Sequence, residues 1–307
     1  KETGKGDQYL PEFVITDPTT GSPCGPIEDG AAVLLFNFRG DRAIEISQAF
    51  DRETPFPHFD RGHCPDVLFA GMMQYDGDLG LPRHFLVDPP KIDRSLGELL
   101  AGAGRRQLAI SETYKFGHVT YFFNGNRSAP FDPKLETYLE VPSDLRPLPE
   151  RPWMKAAEIT DRLLGELDRL GPDKAPNFIR LNYANGDMVG HTGDLEAAIV
   201  AVEVVDLCLR RLVAQTRARR GILMVTADHG NADQMFDQKS DGSLHARTSH
   251  SLNRVPLVIY DPRLPNLGPR LRPPADAGLT HLAATSLELL GFSAPEHFRP
   301  SLLAPTT

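Results

Sequence analysis

The sequence predicts an α/β fold, a sheet with helices on both of its faces. Three observations predict it. Short apolar runs recur along the chain, and segments with a 3.6-residue apolar rhythm alternate with them. Several of the runs also stop abruptly at polar side chains that can bind metals, where open α/β sheets collect their ligands. The stretch "MVTADHGNADQM" (224–235) shows all of this at once: an apolar run ends in Asp228, His229 and Gly230, with a further acid at Asp233.

The elements follow in order. Residues 1–30 are rich in turn formers and read as loop, with one short strand at "EFVIT" (12–16). "AAVLLFNF" (31–38) is a continuous apolar run and reads as a buried strand, with helical spacing after it in "RGDRAIEISQAF". "DVLFAGMMQY" (66–75) is a second buried strand. "LVDPPKID" (86–93) joins two prolines with charge and reads as a linker, so the expected domains are 1–88 and 89–307. Beyond it "SLGELLAGAG" reads as helix, "RQLAISE" and "HVTYFFNG" as strands, and "MKAAEITDRLLGELDRL" as helix. "NFIRLNYAN" follows as strand, 194–218 as one long helix capped by Asp194, "GILMVTAD" and "VPLVIYD" as strands, and "THLAATSLELLGF" as helix.

Composition narrows the partners. The 307 residues suffice for two ordinary domains, and 40% hydrophobic with 24% charged residues is the balance of a globular protein. No apolar segment approaches the roughly 18 to 20 residues of a membrane span, so no membrane partner is expected. A net charge of −8 argues against nucleic acid, whose phosphates it would repel. Cys24, Cys64 and Cys208 are an odd number without CxxC spacing, which points to a reducing cytoplasm rather than to disulfides.

Three segments carry metal-type residues. Asp187 and His191 lie in "NGDMVGHTGD", Asp228 and His229 in "TADHGNADQM", and His250 in "RTSHSLNRVP", just before a strand. Carboxylate oxygen with imidazole nitrogen is a donor set that Mn²⁺, Zn²⁺ or Fe accepts. Each residue alone has a plainer explanation. An Asp ahead of a helix is often its N-cap, but Asp194 is better placed for that, and single histidines are mostly surface or core residues. The coincidence of three such segments favours a metal. His245 competes with His250 but lies in the polar loop "QKSDGSLHAR", so His250 is preferred. Arg39 and Arg42, three apart in "NFRGDR", form a pair of guanidinium forks suited to a carboxylate or phosphate, or else pair with Asp41 and Glu45 on the surface. Lys115, expected in a short loop between two strands, is placed to reach a phosphate, or is a solvated lysine.

Together these segments resemble the cofactor-independent phosphoglycerate mutases of the alkaline phosphatase superfamily. The matching stretches are "DGAAVLLFNFRGDRAI", "SETYKFGHVTYFFNGNRS", "NGDMVGHTGD", "TADHGNADQM" and "TSHSLNRVP", in family order, and "QYLPEFVI" with "AGMMQYDGDLGLP" resembles the plant and trypanosomatid-like branch. The resemblance implies an alkaline-phosphatase-like sheet with helices on both faces, in 89–307, and the C-terminal part of a smaller α/β phosphotransferase domain, in 1–88. It implies interconversion of 3-phosphoglycerate and 2-phosphoglycerate, in glycolysis and gluconeogenesis, through a phosphoserine. Two Mn²⁺ ions are implied, with Mg²⁺, Co²⁺ or Zn²⁺ as alternatives, and no 2,3-bisphosphoglycerate. By motif match Asp187, His191 and His250 hold one metal, and Asp228 and His229 share in the other. Arg39 and Arg42 bind the phosphoglycerate, and Lys115 sits beside the phosphoryl group. The full-length protein is expected to be a cytoplasmic monomer. The nucleophilic Ser and an N-terminal "DG" metal segment have no counterpart here, so the 307 residues alone are expected to be inactive. Two other readings share the Asp and His ligands: a metal-dependent phosphatase or sulfatase of the same superfamily, and a non-catalytic metal-binding fragment.

Overall fold

Apolar runs distant in sequence pair side by side, and the pairing sorts the chain into two units, Lys1–Pro90 and Lys91–Thr307. The computed structural model describes residues 13–38, 40–77, 79–88 and 92–304, and among these all side chains except those of Asp41, Arg42 and Leu267.

In the first unit β1 (Ala32–Leu35), α1 (Asp41–Phe50), β2 (Leu68–Met73) and β3 (His84–Val87) build a three-stranded parallel sheet in the order β1-β2-β3. Helix α1 serves as the crossover that a parallel pair requires, and Phe50 stacks on Phe69 of β2 at 4.8 Å. The sequence predicts β1 as buried on both sides, but exposure alternates along it, and Phe36 and Phe38 beyond it are 80% and 77% exposed. Successive side chains of a strand face opposite sides, and within this unit only one side is covered. Two further expectations need correction. The only strand-like pairing of "EFVIT" within the described residues is an isolated bridge from Thr16 to Pro23, because Asp17 accepts from Thr19 N and Thr20 N and turns the chain there. Leu86 and Val87, assigned to the linker, belong to β3, which pairs with β2 and was not anticipated. Tyr75 is buried and its hydroxyl donates to Asn37 O at 2.5 Å, fixing the chain just before the arginine pair. Arg39 itself and the Arg42 side chain lie outside the described residues.

The second unit holds α2 (Leu96–Gly102), β4 (Gln107–Glu112), α3 (Thr113–Val119), β5 (Glu136–Val141), α4 (Ala156–Lys174), β6 (Phe178–Leu181), α5 (Asn185–Gly190) and α6 (Leu195–Ala218). It continues with β7 (Leu223–Thr226), β8 (Phe236–Gln238), β9 (Leu244–Ala246), β10 (Leu257–Tyr260) and α7 (Leu282–Leu289). Strands β5, β4 and β6 form a parallel sheet in that order, and all six residues of β4 are buried. Leu108 and Ile110 on one side of β4 pack with Ile159, Leu163 and Leu167, three residues spaced four apart down α4, and with Leu212 of α6. On the other side Gln107 Nε2 donates to Gly97 O of α2, so helices meet both faces of β4. Ser95 caps α2, and Asp194 caps α6 by accepting from Ala197 N at 3.0 Å. Helix α4 is broken at Gly171, ahead of Pro172.

The largest departure falls at 113–125. "HVTYFFNG" is not a strand: α3 runs to Val119, and tight turns carry the chain on, with Asn124 N bonding Thr120 O and Gly125 N bonding Phe122 O. Lys115 is therefore helical, not on a loop between strands. The β-rich composition is overruled because both hydrogen-bonding edges of β4 are already taken, one by β6 and one by "ETYLEV", the unanticipated strand β5. Arg180 of β6 ties these pieces together beneath the sheet edge. Its buried guanidinium donates to Val119 O at 2.5 Å and Gln107 Oε1 at 2.9 Å, and pairs with Glu136 at 3.3 Å.

Candidate metal centre

Each metal-capable residue arrives at the site by a different local route. Asp187 lies in the first turn of α5, shortly after β6 ends, and His191 caps the end of that helix, four residues on and so on the same face. Asp228 and His229 follow directly after β7. His250 precedes β10, and β10 pairs antiparallel with β7, Leu257 opposite Thr226. That pairing puts the start of β10 beside the end of β7, which is how a residue before one strand meets residues after another.

The structure brings Asp187, His191 and His250 together although 63 positions separate the outer two. Asp187 Oδ1 lies 3.0 Å from His191 Nε2 and 3.0 Å from His250 Nε2, and the two nitrogens lie 3.0 Å apart. His191 Nδ1 lies 2.6 Å from Thr248 O. A carbonyl only accepts, so Nδ1 carries a proton there, and it is Nε2 that faces Asp187 and His250. His229 stacks on His250 with ring centroids 3.7 Å apart. Burial, then the neighbouring His229, lowers the pKa of His250, which favours the neutral ring a metal needs.

These donors fit a divalent cation. Ligands at right angles around a metal at about 2.1 Å stand about 3.0 Å apart, and tetrahedral ones about 3.4 Å apart. The equal 3.0 Å spacings would let all three donors face one such ion at once. The surroundings also hold the carboxylate ready. Burial would raise the Asp187 pKa, but the Lys115 ammonium on Oδ2, the Asn231 amide and His191 outweigh it and hold it at about 2. Lys115, in the first turn of α3, is buried, with 8% of its side chain exposed. Asp228 is more open than Asp187. Asp228 is 53% exposed, and His229 Nε2 lies 3.4 Å from its Oδ2. Among the described residues, the group able to close around one metal is Asp187, His191 and His250. His245 stands apart in the exposed hairpin β8–β9.

Three supporting residues escaped the sequence reading. Asn231 Nδ2 donates to Asp187 Oδ1 at 2.9 Å. Asp233 accepts from Ser251 Oγ at 2.9 Å and from Asn253 Nδ2 at 2.6 Å, pinning the segment just after His250. Arg247 reaches His250 O at 2.7 Å, Ser249 O at 3.1 Å and Asp237 Oδ1 at 2.7 Å, which pins the segment before it. Their signal lay in position alone: all three stand within four residues of a candidate ligand.

The centre and its fold define a class. Residues 31–294 match the metalloenzyme superfamily, and the chain belongs to it. Within that class it is a homologue of the 2,3-bisphosphoglycerate-independent phosphoglycerate mutases. It is 50% identical over 306 residues to a Leptospira interrogans protein named probable 2,3-bisphosphoglycerate-independent phosphoglycerate mutase, covering 97% of this chain and 54% of that one. The corresponding mutase of Trypanosoma brucei brucei is 48% identical over 308 residues, again 97% of this chain and 54% of that one. The crystal structure of Leishmania mexicana phosphoglycerate mutase at low cobalt concentration matches with a TM-score of 0.90 and 46% identity, over 99% of this chain and 56% of that one. The chain thus spans about half the length of the relatives it matches. No described helix is long and apolar enough to cross a membrane.

Proposed function

We propose that this chain is the metal-carrying part of a cytoplasmic, monomeric 2,3-bisphosphoglycerate-independent phosphoglycerate mutase, which interconverts 3-phosphoglycerate and 2-phosphoglycerate without 2,3-bisphosphoglycerate. The observation that carries the reading is the equal 3.0 Å spacing of Asp187 Oδ1, His191 Nε2 and His250 Nε2, with a buried lysine on the same carboxylate. These three hold one divalent cation, Mn²⁺ or its substitutes Co²⁺, Mg²⁺ or Zn²⁺, and Asp228 and His229 supply part of a second site. When bound, such ions supply charge that offsets the phosphoryl oxygens and favours ionisation of the attacking hydroxyl.

The chain's own groups do the rest. Lys115 keeps Asp187 ionised and sets a second positive charge next to the site where a phosphoryl group is held. Arg39 and Arg42 bind the phosphoglycerate, the first unit being the phosphotransferase domain and the second the alkaline-phosphatase-like domain. Exclusion of water around the phosphoryl group favours its return to glycerate over its loss as free phosphate. Ser111 is buried and its hydroxyl donates to Asn182 O at 3.1 Å, which argues against it as the nucleophile.

The 307 residues alone are expected to bind one Mn²⁺ firmly, a second weakly, and to turn over neither isomer. Calorimetric titration with an isomer assay checks this, and two tight sites or turnover by the purified chain would overturn it. For the full-length protein, the isomer assay is set against phosphate release. Phosphate as the main product would replace the mutase reading with a metal-dependent phosphatase.

A further inference from the structure

The turn at 230–233 leaves the Asp228–His229 pair and reaches back into the other cluster. Asn231 is 5% exposed, and its Nδ2 lies 2.9 Å from Asp187 Oδ1 and 3.1 Å from Asp187 O. Both atoms only accept, so the amide has one workable orientation, and its two hydrogens serve both at once. One side chain therefore ties the Asp187 carboxylate to the Asp187 backbone, which leaves the carboxylate little freedom to rotate. Its chosen oxygen, Oδ1, is the one that faces His191 and His250.

Space for this contact comes from α5 itself. A Cβ at Gly190 would stand 2.2 Å from Asn231 Oδ1 and 2.8 Å from its Cγ, far inside contact distance, while the next neighbour, Ala232 N, would be 3.3 Å away. The glycine thus lies between Asp187 and His191 in sequence and is the opening through which Asn231 passes.

The geometry points to Asn231 as the positioning residue that presents Asp187 to the cation, with Gly190 as the gap that admits it. This rests on the reading that Asp187, His191 and His250 hold a divalent ion. Asn231 touches no metal position. It acts by fixing a ligand in advance, so that binding need not order the carboxylate. Asp228 and His229 stand immediately before this turn in the chain.

Co²⁺ titrations of the 307-residue chain test this, following affinity and the visible absorption of the bound ion. Asn231→Ala is expected to weaken binding about ten- to a hundredfold, as loss of an outer partner does, and to alter the absorption band. Gly190→Ala is expected to do the same without removing any polar group. The double variant is expected to bind no worse than Asn231→Ala alone, because the added methyl then meets no amide. Should Asn231→Ala lose its cooperative melt, Gly190→Ala carries the test by itself. Wild-type affinity and spectrum in either single variant overturn the inference, as does a Gly190→Ala penalty of equal size in both backgrounds. If instead the parent chain binds no Co²⁺, or His191→Ala leaves binding unchanged, the metal reading itself fails and takes the inference with it.

Discussion

Asp187 and Asp228 occupy similar places in two parts of the same unit: each follows a strand, β6 or β7, and each has a histidine nearby. Their surroundings differ. The Asp187 side chain is 13% exposed and touches Lys115, Asn231, His191 and His250, whereas Asp228 is 53% exposed with His229 at 3.4 Å. A ligand held in place before the ion arrives loses less freedom on binding it than one held by water. The contrast teaches that a strand end followed by Asp and His is not itself a site. What surrounds the carboxylate makes it one.

The sharpest way to break this contrast is to remove each acid in turn. Asp187→Ala is expected to lower Mn²⁺ affinity of the 307-residue chain by more than about a hundredfold, beyond the loss of an outer partner, and Asp228→Ala by less than about threefold. Calorimetry reads both, and comparable losses would erase the distinction between the two places. A smaller effect comes from Lys115→Met. With no metal present the change strands a buried carboxylate and is expected to cost about 3 to 5 kcal/mol in denaturant unfolding. Saturating Co²⁺ supplies a positive charge in its place, so the cost should shrink. An equal cost with and without Co²⁺ would show that the lysine packs rather than balances charge.

The smallest effect concerns a third acid at this edge, Glu112, which ends β4 and is also buried. Burial raises its pKa, and the Ser143 hydroxyl, the Lys155 amide and the Lys155 charge only partly offset that, since no cation contacts it as Lys115 contacts Asp187. A raised pKa means the folded state holds the proton more tightly than the unfolded one. Its stabilising share is complete below the ordinary value of 4.5 and is lost as pH climbs through the raised value. Glu112→Gln, which stays neutral, should therefore melt about 2 °C higher at pH 8 and no higher at pH 4. The opposite pH dependence would show that Glu112 is stabilised in its charged form.

Much of the second unit was legible because its signals are local. The short strand β4, the stripe of α4, the Asp194 cap of α6 and the Asp and His motifs each lie within a few residues of sequence. The stretch 118–125 was misread for the opposite reason. Its aromatic and β-branched composition suits a strand, but a strand needs a free edge, and β5 and β6 occupy both edges of β4. The support around Asp187 was equally hidden. Lys115 is 72 positions away and Asn231 is 44, distances at which no periodicity speaks.

By itself, then, the sequence determined the supply of donors: which carboxylates and imidazoles stand at strand ends, and in what order. Only the tertiary structure decided which of them meet. His250 joins Asp187 and His191 because β10 runs antiparallel to β7, and Lys115 reaches Asp187 because α3 is held by its end to β6 through Arg180. Strand direction and helix placement are settled by burial and hydrogen-bond pairing across the whole unit, and a donor cluster with its supports, drawn from four segments, exists only once they are settled.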